Sequence, residues 1–245
     1  YEQYVQARAK REDDVSTLID GVAVITVASG KGIQRLFTQE LGAAHVITGG
    51  QTMNPSTGDF LNAIDKMTNE EIVLLPNNKN VLLSAQQAAE RAQHKRVRVV
   101  PSATLPQGIA AMFEYINAAN TEPPASLDET TRAMTEMLSL VVTGEITRAT
   151  RDVEIDGLEV RAGQFIGLID DVLKVAGNDL NQVARDLLRM ADTNRYERVT
   201  LYYGEGVGES DVRALVAVLA DDFPDLAFEV ISGGQPLYPY IISIE

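Results

Sequence analysis

The chain of 245 residues contains no cysteine. Disulfides, thiolate nucleophiles and cysteine-type zinc sites are thereby excluded. Histidine is nearly absent too, present only as His45 and His94. A Ser-His-Asp triad would have to recruit one of them. His45 directly precedes a strand-like run, and His94 lies in Gln93-His94-Lys95-Arg96, the basic end of a helix, where cations favour the dipole. Each is expected to be a surface or packing histidine. Cations are scarce, with 21 Lys and Arg against 35 Asp and Glu and a net charge of −14. That field repels phosphate backbones and argues against a nucleic-acid partner. An anionic small molecule would need a local site of backbone N–H groups or a few cations. No apolar run approaches the ~20 residues that span a bilayer, and no charged-then-apolar signal segment opens the chain; a cytoplasmic location fits. The first residue is Tyr1, not Met, so a fragment of a longer protein is expected, with residues 1–14 as the tail of a preceding linker or domain.

What is present is an alternation of strands and helices. Residues 22–27 form an unbroken, β-branched run, as expected of a strand covered on both faces. A helix follows with Ile33, Leu36, Phe37 and Leu41 on one face. Further strands are expected at 46–48, 72–75 and 97–100. Ser56 with Asp59 and Ser84 with Gln87 read as capping boxes for two helices, and Pro106 opens a third whose Ile109, Met112, Phe113 and Ile116 follow helical spacing. Short connections between such units imply a mainly parallel sheet with helices on both faces. Glu122-Pro123-Pro124 reads as the domain boundary, dividing an α/β lobe at 15–122 from a second at 123–245. Ser126 and Glu129 then cap a new helix. In the second half, residues 146–155 and 158–169 flank Asp156-Gly157, a hairpin signal. A helix at 180–191, a strand at 199–203, a helix capped by Ser210, and strands at 228–232 and 241–244 complete a mixed sheet. Each half carries Gly-Gly-Gln after a strand, at Gly49-Gly50-Gln51 and Gly233-Gly234-Gln235.

Ligands of open parallel sheets bind beyond the carboxyl ends of the strands, so the loops there hold the candidates. They are Ser29 and Lys31 in the first loop; Gly49, Gly50, Gln51, Thr52 and Asn54 in the second; Asn77, Asn78, Lys79 and Asn80 in the third; and Ser102, Thr104 and Gln107 in the fourth. Such residues make ordinary turns and caps; taken together, they also compose a polar rim for an anion or a partner protein. Ser29-Gly30-Lys31-Gly32 lacks the nucleotide P-loop spacing, and Gly204-x-Gly206-x-Gly208 lacks the dinucleotide spacing; both read as tight strand-to-helix turns. The acidic pairs Asp13-Asp14, Glu70-Glu71, Asp170-Asp171 and Asp221-Asp222 read as solvated element ends. Gln235, Tyr238 and Tyr240 lie in a stiff turn with Pro236 and Pro239, which reads equally as an edge-packing device or a contact surface. No catalytic residue, metal site or cofactor is assigned.

Four motifs in order carry a resemblance. Gly49-Gly50-Gln51-Thr52-Met53-Asn54-Pro55-Ser56-Thr57, Leu75-Pro76-Asn77-Asn78-Lys79-Asn80, Pro106-Gln107-Gly108 and Gly233-Gly234-Gln235-Pro236-Leu237-Tyr238-Pro239-Tyr240 resemble the C-terminal region of bacterial fatty acid kinase catalytic subunits, which form a dihydroxyacetone-kinase-like family, from about Val15 onward. The resemblance implies a DegV-like α/β fold and an N-terminal kinase domain, outside this chain, that binds Mg-ATP. It further implies a DegV-type fatty-acid-binding protein as partner, an acyl phosphate product that feeds phospholipid synthesis, and a docking role for this region; a homodimer stays open. Where DegV-type lipid binders show a His-Thr-Gly type of turn, this chain has Gln235-Pro236-Leu237-Tyr238. Two alternatives stand beside docking. One is a lipid or small-anion binder with an apolar pocket beside Thr52 and Asn54. The other is a dihydroxyacetone-kinase-like subunit, whose capture of a ketone substrate would use His45 or His94.

Overall fold

The structure, a computed structural model, describes residues 21–50 and 53–245. The expected tail at 1–14, with Asp13-Asp14, lies outside the described residues. Two compact units divide the chain, one ending at Leu140 and one running from Val141 to Glu245 and including Gly30–Gly32.

The first unit is built on four strands, β1 (Ala23–Ala28), β2 (His45–Thr48), β3 (Glu71–Leu75) and β4 (Arg96–Val99), in the order β2-β1-β3-β4. All three pairings are parallel. Every residue of β1 is buried, as its uninterrupted apolar sequence requires of a strand covered on both faces. Ala23, Ile25 and Val27 pack with Phe60 and Ile64 of α2 (Thr57–Lys66) and with Ala85 and Ala88 of α3 (Leu82–Arg91). The alternate residues Val24 and Thr26 turn to the opposite face. A short helix, α1 (Lys31–Arg35), runs into a π turn at Leu36–Glu40, which buries Ile33, Leu36 and Phe37. The edge strand β4 is blunted by charge: Arg96 pairs with Glu71 and Arg98 with Asp128.

Local sequence explains most helix starts, and the exceptions are informative. Ser56 Oγ accepts from Asp59 N at 3.1 Å while Asp59 Oδ2 accepts from Ser56 N at 2.8 Å, a complete capping box. Ser126 and Glu129 do the same for α5 (Leu127–Met137). Ser84 does not cap α3. The turn at Asn78–Asn80 already feeds the chain into helix at Val81, so Ser84 arrives inside the first turn. Ser210 likewise lies inside α7 (Glu209–Asp222), whose N-cap is Gly208.

The prolines after α4 (Leu105–Ala119) do not divide the units. They turn the chain back so that α5 packs against α4, burying Leu127 and Met134, and the division falls at Leu140/Val141 rather than at 122/123. Paired prolines end a helix but carry no information about what the next helix packs on.

The second unit is a six-stranded mixed sheet in the order β11-β10-β12-β5-β8-β9, with β5 (Val142–Arg148), β8 (Phe165–Ile169), β9 (Val172–Gly177), β10 (Arg198–Tyr203), β11 (Ala227–Ser232) and β12 (Tyr240–Ile244). Only β10 and β11 pair in parallel. The Asp156-Gly157 turn closes a separate small hairpin, β6 (Val153–Ile155) with β7 (Leu158–Val160). The long runs expected at 146–155 and 158–169 are therefore each broken in two. β9 carries no turn signal of the usual kind before it: Asp170 and Asp171, at φ of 47° and 68°, make the tight turn into it and are not simply solvated element ends, a geometry more often signalled by Asn-Gly or Asp-Gly. Helices α6 (Leu180–Met190) and α7 pack on one face, where Val183, Leu187, Val212, Leu215 and Leu219 meet Ile146, Leu201 and Ile242. Each such buried Leu, Ile or Val contributes roughly 1.5–3 kcal/mol. The Arg185 guanidinium clamps Asp222 across the two helices, with Nε–Oδ2 at 2.8 Å and Nη2–Oδ1 at 3.2 Å.

Candidate functional site

Because β1–β4 are parallel, the loops that follow them all leave from the carboxyl end of the sheet. Hydrogen bonds tie these loops to one another. Ser29 Oγ donates to Gly49 O at 2.9 Å, and Gln34 Nε2 bridges Ala28 O and Thr48 Oγ1 at 3.0 Å each. Asn77, held at a φ of 58°, is the hub of the rest. Its Nδ2 donates to Thr26 Oγ1 at 2.8 Å and Val27 O at 2.9 Å. Its backbone N donates to Ser102 Oγ, which donates in turn to Asn77 Oδ1 at 2.8 Å. Thr26 Oγ1 completes the set by donating to Leu75 O. A Cβ at Gly108 would overlap Asn77 Oδ1, so the first turn of α4 closes over the network.

The sequence candidates therefore separate into two groups. Asn77 and Ser102 are buried and turned inward, which corrects their placement on a binding rim: their polar groups are committed to the fold. Asn78 Oδ1 takes Asn80 N, Thr104 Oγ1 takes Gln107 N, and Gln107 Oε1 takes Ala103 N while its Nε2 donates to Leu138 O. Exposed positions remain at Asn54, Lys79 and Asn80. Gln51 and Thr52 lie outside the described residues. Lys31 is exposed but belongs, with Gly30 and Gly32, to the second unit. There a Cβ on Gly32 would overlap Ser232 O and one on Gly30 would stand 2.6 Å from Gln235 N. These glycines thus serve a close backbone approach as well as a tight turn.

In the second unit the segment 233–240 is stapled to the end of β10. Gln235 Nε2 donates to Tyr202 O at 2.8 Å and Tyr238 O at 3.1 Å, Gly204 N donates to Pro239 O, and Glu205 N donates to Gln235 O. Gly204 admits this approach, since a Cβ there would overlap Tyr238 O. Thr147 Oγ1 of β5 donates to Leu237 O at 2.7 Å. Gln235 and Tyr240 are buried, so neither presents a surface to a partner. Gln235 Oε1 and the Tyr240 hydroxyl have no hydrogen-bond partner among the described residues. Burial, reinforced by Asp211, pushes Tyr240 up to about 12. Tyr238 rises to about 12 through burial and the nearby Glu145 and Asp171.

At the crest, Tyr238 N donates to Pro236 O at 2.8 Å across Leu237, whose φ is 68°. That is a three-residue γ-turn of the rare positive-φ kind, strained by roughly 1–3 kcal/mol in a residue with a Cβ. Leu237 is nonetheless 56% exposed. The signal available in the sequence was Pro236, which sets up a turn whose next position favours glycine or asparagine where this chain has leucine.

The histidines stay peripheral. His94 Nε2 meets Asp65 Oδ1 at 3.0 Å on the surface, and His45 on β2 is lowered by burial and then by Lys66. Glu71 is paired with Arg96, Asp222 with Arg185, and Asp170 Oδ1 accepts from Thr143 N. Among the described residues no group of three or more His, Asp or Glu is placed to hold a metal ion, and no helix is long and apolar enough to cross a membrane.

A family model for the FakA-like C-terminal domain of fatty acid kinase matches residues 23–245. The chain belongs to that family. An uncharacterised protein of Staphylococcus haemolyticus is 37% identical over 223 residues, covering 91% of this chain and 39% of that protein. One from Staphylococcus epidermidis is 36% identical over 225 residues with the same coverage. This FakA-like C-terminal domain thus spans 39% of the length of the relatives it matches.

Solved structures share its fold. The Streptococcus pneumoniae fatty acid kinase B3 protein, loaded with linoleic acid, aligns with a TM-score of 0.60 at 14% identity over 92% of this chain and 99% of that one. The dihydroxyacetone kinase of C. freundii aligns at 0.63 and 16% identity, over 92% of this chain and 48% of that one. The DegV-like architecture expected from sequence is the observed one.

Proposed function

We propose that this domain docks a DegV-type fatty-acid-binding protein so that a kinase domain elsewhere in the same polypeptide, carrying Mg-ATP, forms an acyl phosphate from the bound fatty acid. The domain itself transfers no phosphoryl group. Its contribution is effective concentration: two reactants held together react as one molecule. The observation that carries this proposal is the family match over residues 23–245. The relatives' additional length leaves room for the kinase domain.

The geometry of the first unit adds support, because the polar groups that would receive a free carboxylate are spent inside the fold at Asn77 and Ser102. The same observation weighs against independent binding of a lipid or small anion at that edge. A histidine-dependent ketone site finds little support in an edge-strand His45 and an exposed, Asp65-paired His94.

Isothermal titration of the chain with a purified DegV-type carrier from the same organism tests docking; saturable binding is expected, and no heat and no co-elution would overturn it. The chain mixed with carrier and ATP is expected to form no acyl phosphate. Turnover by the pure chain would refute the non-catalytic role.

A further inference from the structure

The 233–240 segment is rigid where it touches the fold and costly where it leaves it. Gln235, Gly204 and Thr147 fix it at three points to β10 and β5. Between those points the chain adopts a positive φ at a leucine, and then leaves that leucine more than half exposed. Glycine would hold the same γ-turn without a Cβ penalty. A leucine here therefore adds strain to the isolated chain and recovers little burial within it. Burial against another molecule would offset both costs.

The surroundings specify the chemistry of that molecule. Glu145 lies on β5 two residues before Thr147, hence on the same face of the strand. Glu205 is exposed and bonded through its backbone to Gln235. An apolar projection held by segments that carry Glu145 and Glu205, on a chain of net charge −14, fits neither nucleic acid nor an anionic membrane surface. It fits a protein face that offers an apolar pocket bordered by Lys or Arg, since a buried apolar anchor with a complementary charged rim is the common anatomy of a specific interface.

We propose that Leu237 is a pre-formed docking knob, presented by its γ-turn to an apolar pocket with a basic border on the fatty-acid carrier. This rests on the docking function proposed above. Because the knob is already in place, no loop has to be ordered on binding.

The test is titration of the unaltered chain, Leu237→Gly and Glu205→Lys with the DegV-type carrier of the same organism, with melting curves for each. Leu237→Gly is expected to melt at the same temperature or higher, because strain is relieved, yet to bind at least about tenfold more weakly. Glu205→Lys is expected to slow association and flatten the salt dependence. If the unaltered chain binds and Leu237→Gly binds equally well, the knob is wrong while docking stands. If Leu237→Gly melts lower, the leucine serves the fold and the knob is likewise wrong. If the unaltered chain fails to bind, docking and knob fall together.

Discussion

Two buried amides organise two loop clusters in this chain, and they do so differently. In the first unit, Asn77 binds side chain to side chain with Thr26 and Ser102 and is closed over by Gly108. In the second, Gln235 binds only backbone carbonyls, leaves its Oε1 without a partner among the described residues, and supports a turn that carries an exposed, strained leucine. The first cluster is self-satisfied and directs its polarity inward. The second holds its backbone firmly and directs an apolar side chain outward. Sequence shows both as Gly, Pro, Asn and Gln loops after strands; the direction of the side chains separates scaffold from candidate interface.

The contrast can be broken at its glycines. Gly204→Ala has the largest expected effect, because the new methyl meets the backbone carbonyls of Tyr238 and Gln235, which cannot move without releasing the staple. A loss of about 3 kcal/mol is expected in denaturant unfolding, and a smaller loss than for Gly108→Ala would show the second cluster to be the looser one.

Gly108→Ala meets the end of a side chain instead, and about 2 kcal/mol is expected. Asn77→Ala alone also costs about 2 kcal/mol, by leaving Ser102 and Thr26 short of partners. Combined, the two changes should fall short of their sum by at least about 1 kcal/mol, because the smaller residue makes room for the new methyl. Strict additivity would show that Asn77 is not what Gly108 accommodates.

The smallest effect belongs to a pair outside both clusters. The hydrogen bond from Arg185, with the charges of Arg185 and Arg189, holds Asp222 below the usual carboxylate range. A carboxyl lowered in the folded state adds stability above its unfolded pKa and loses it as pH falls through the depressed value. The melting-temperature gap between the unaltered chain and Arg185→Ala should therefore be open near neutrality and close in acid; a gap independent of pH would show that the pair contributes packing rather than charge.

Much of the architecture was legible from local signals. The unbroken run of β1, the two capping boxes at Ser56 and Ser126, and the Asp156-Gly157 turn each rest on chemistry within a few residues. What misled were signals whose meaning depends on distant partners. Pro123-Pro124 marked a reversal inside the first unit, not its end. Ser84 and Ser210 had the sequence of caps, but the chain had already become helical before reaching them. Asp170-Asp171 hid a hairpin because two aspartates can adopt positive φ when strand pairing holds them there.

The sequence by itself determined most of the strands and helices, that the first sheet is parallel, and that its loops leave from one edge, because periodicity, caps and short crossovers are local constraints. Only the tertiary structure decided that Asn77 and Ser102 face inward and Leu237 outward, because a side chain's direction depends on hydrogen-bond partners up to 51 residues away, as between Asn77 and Thr26, or 90 residues away, as between Thr147 and Leu237.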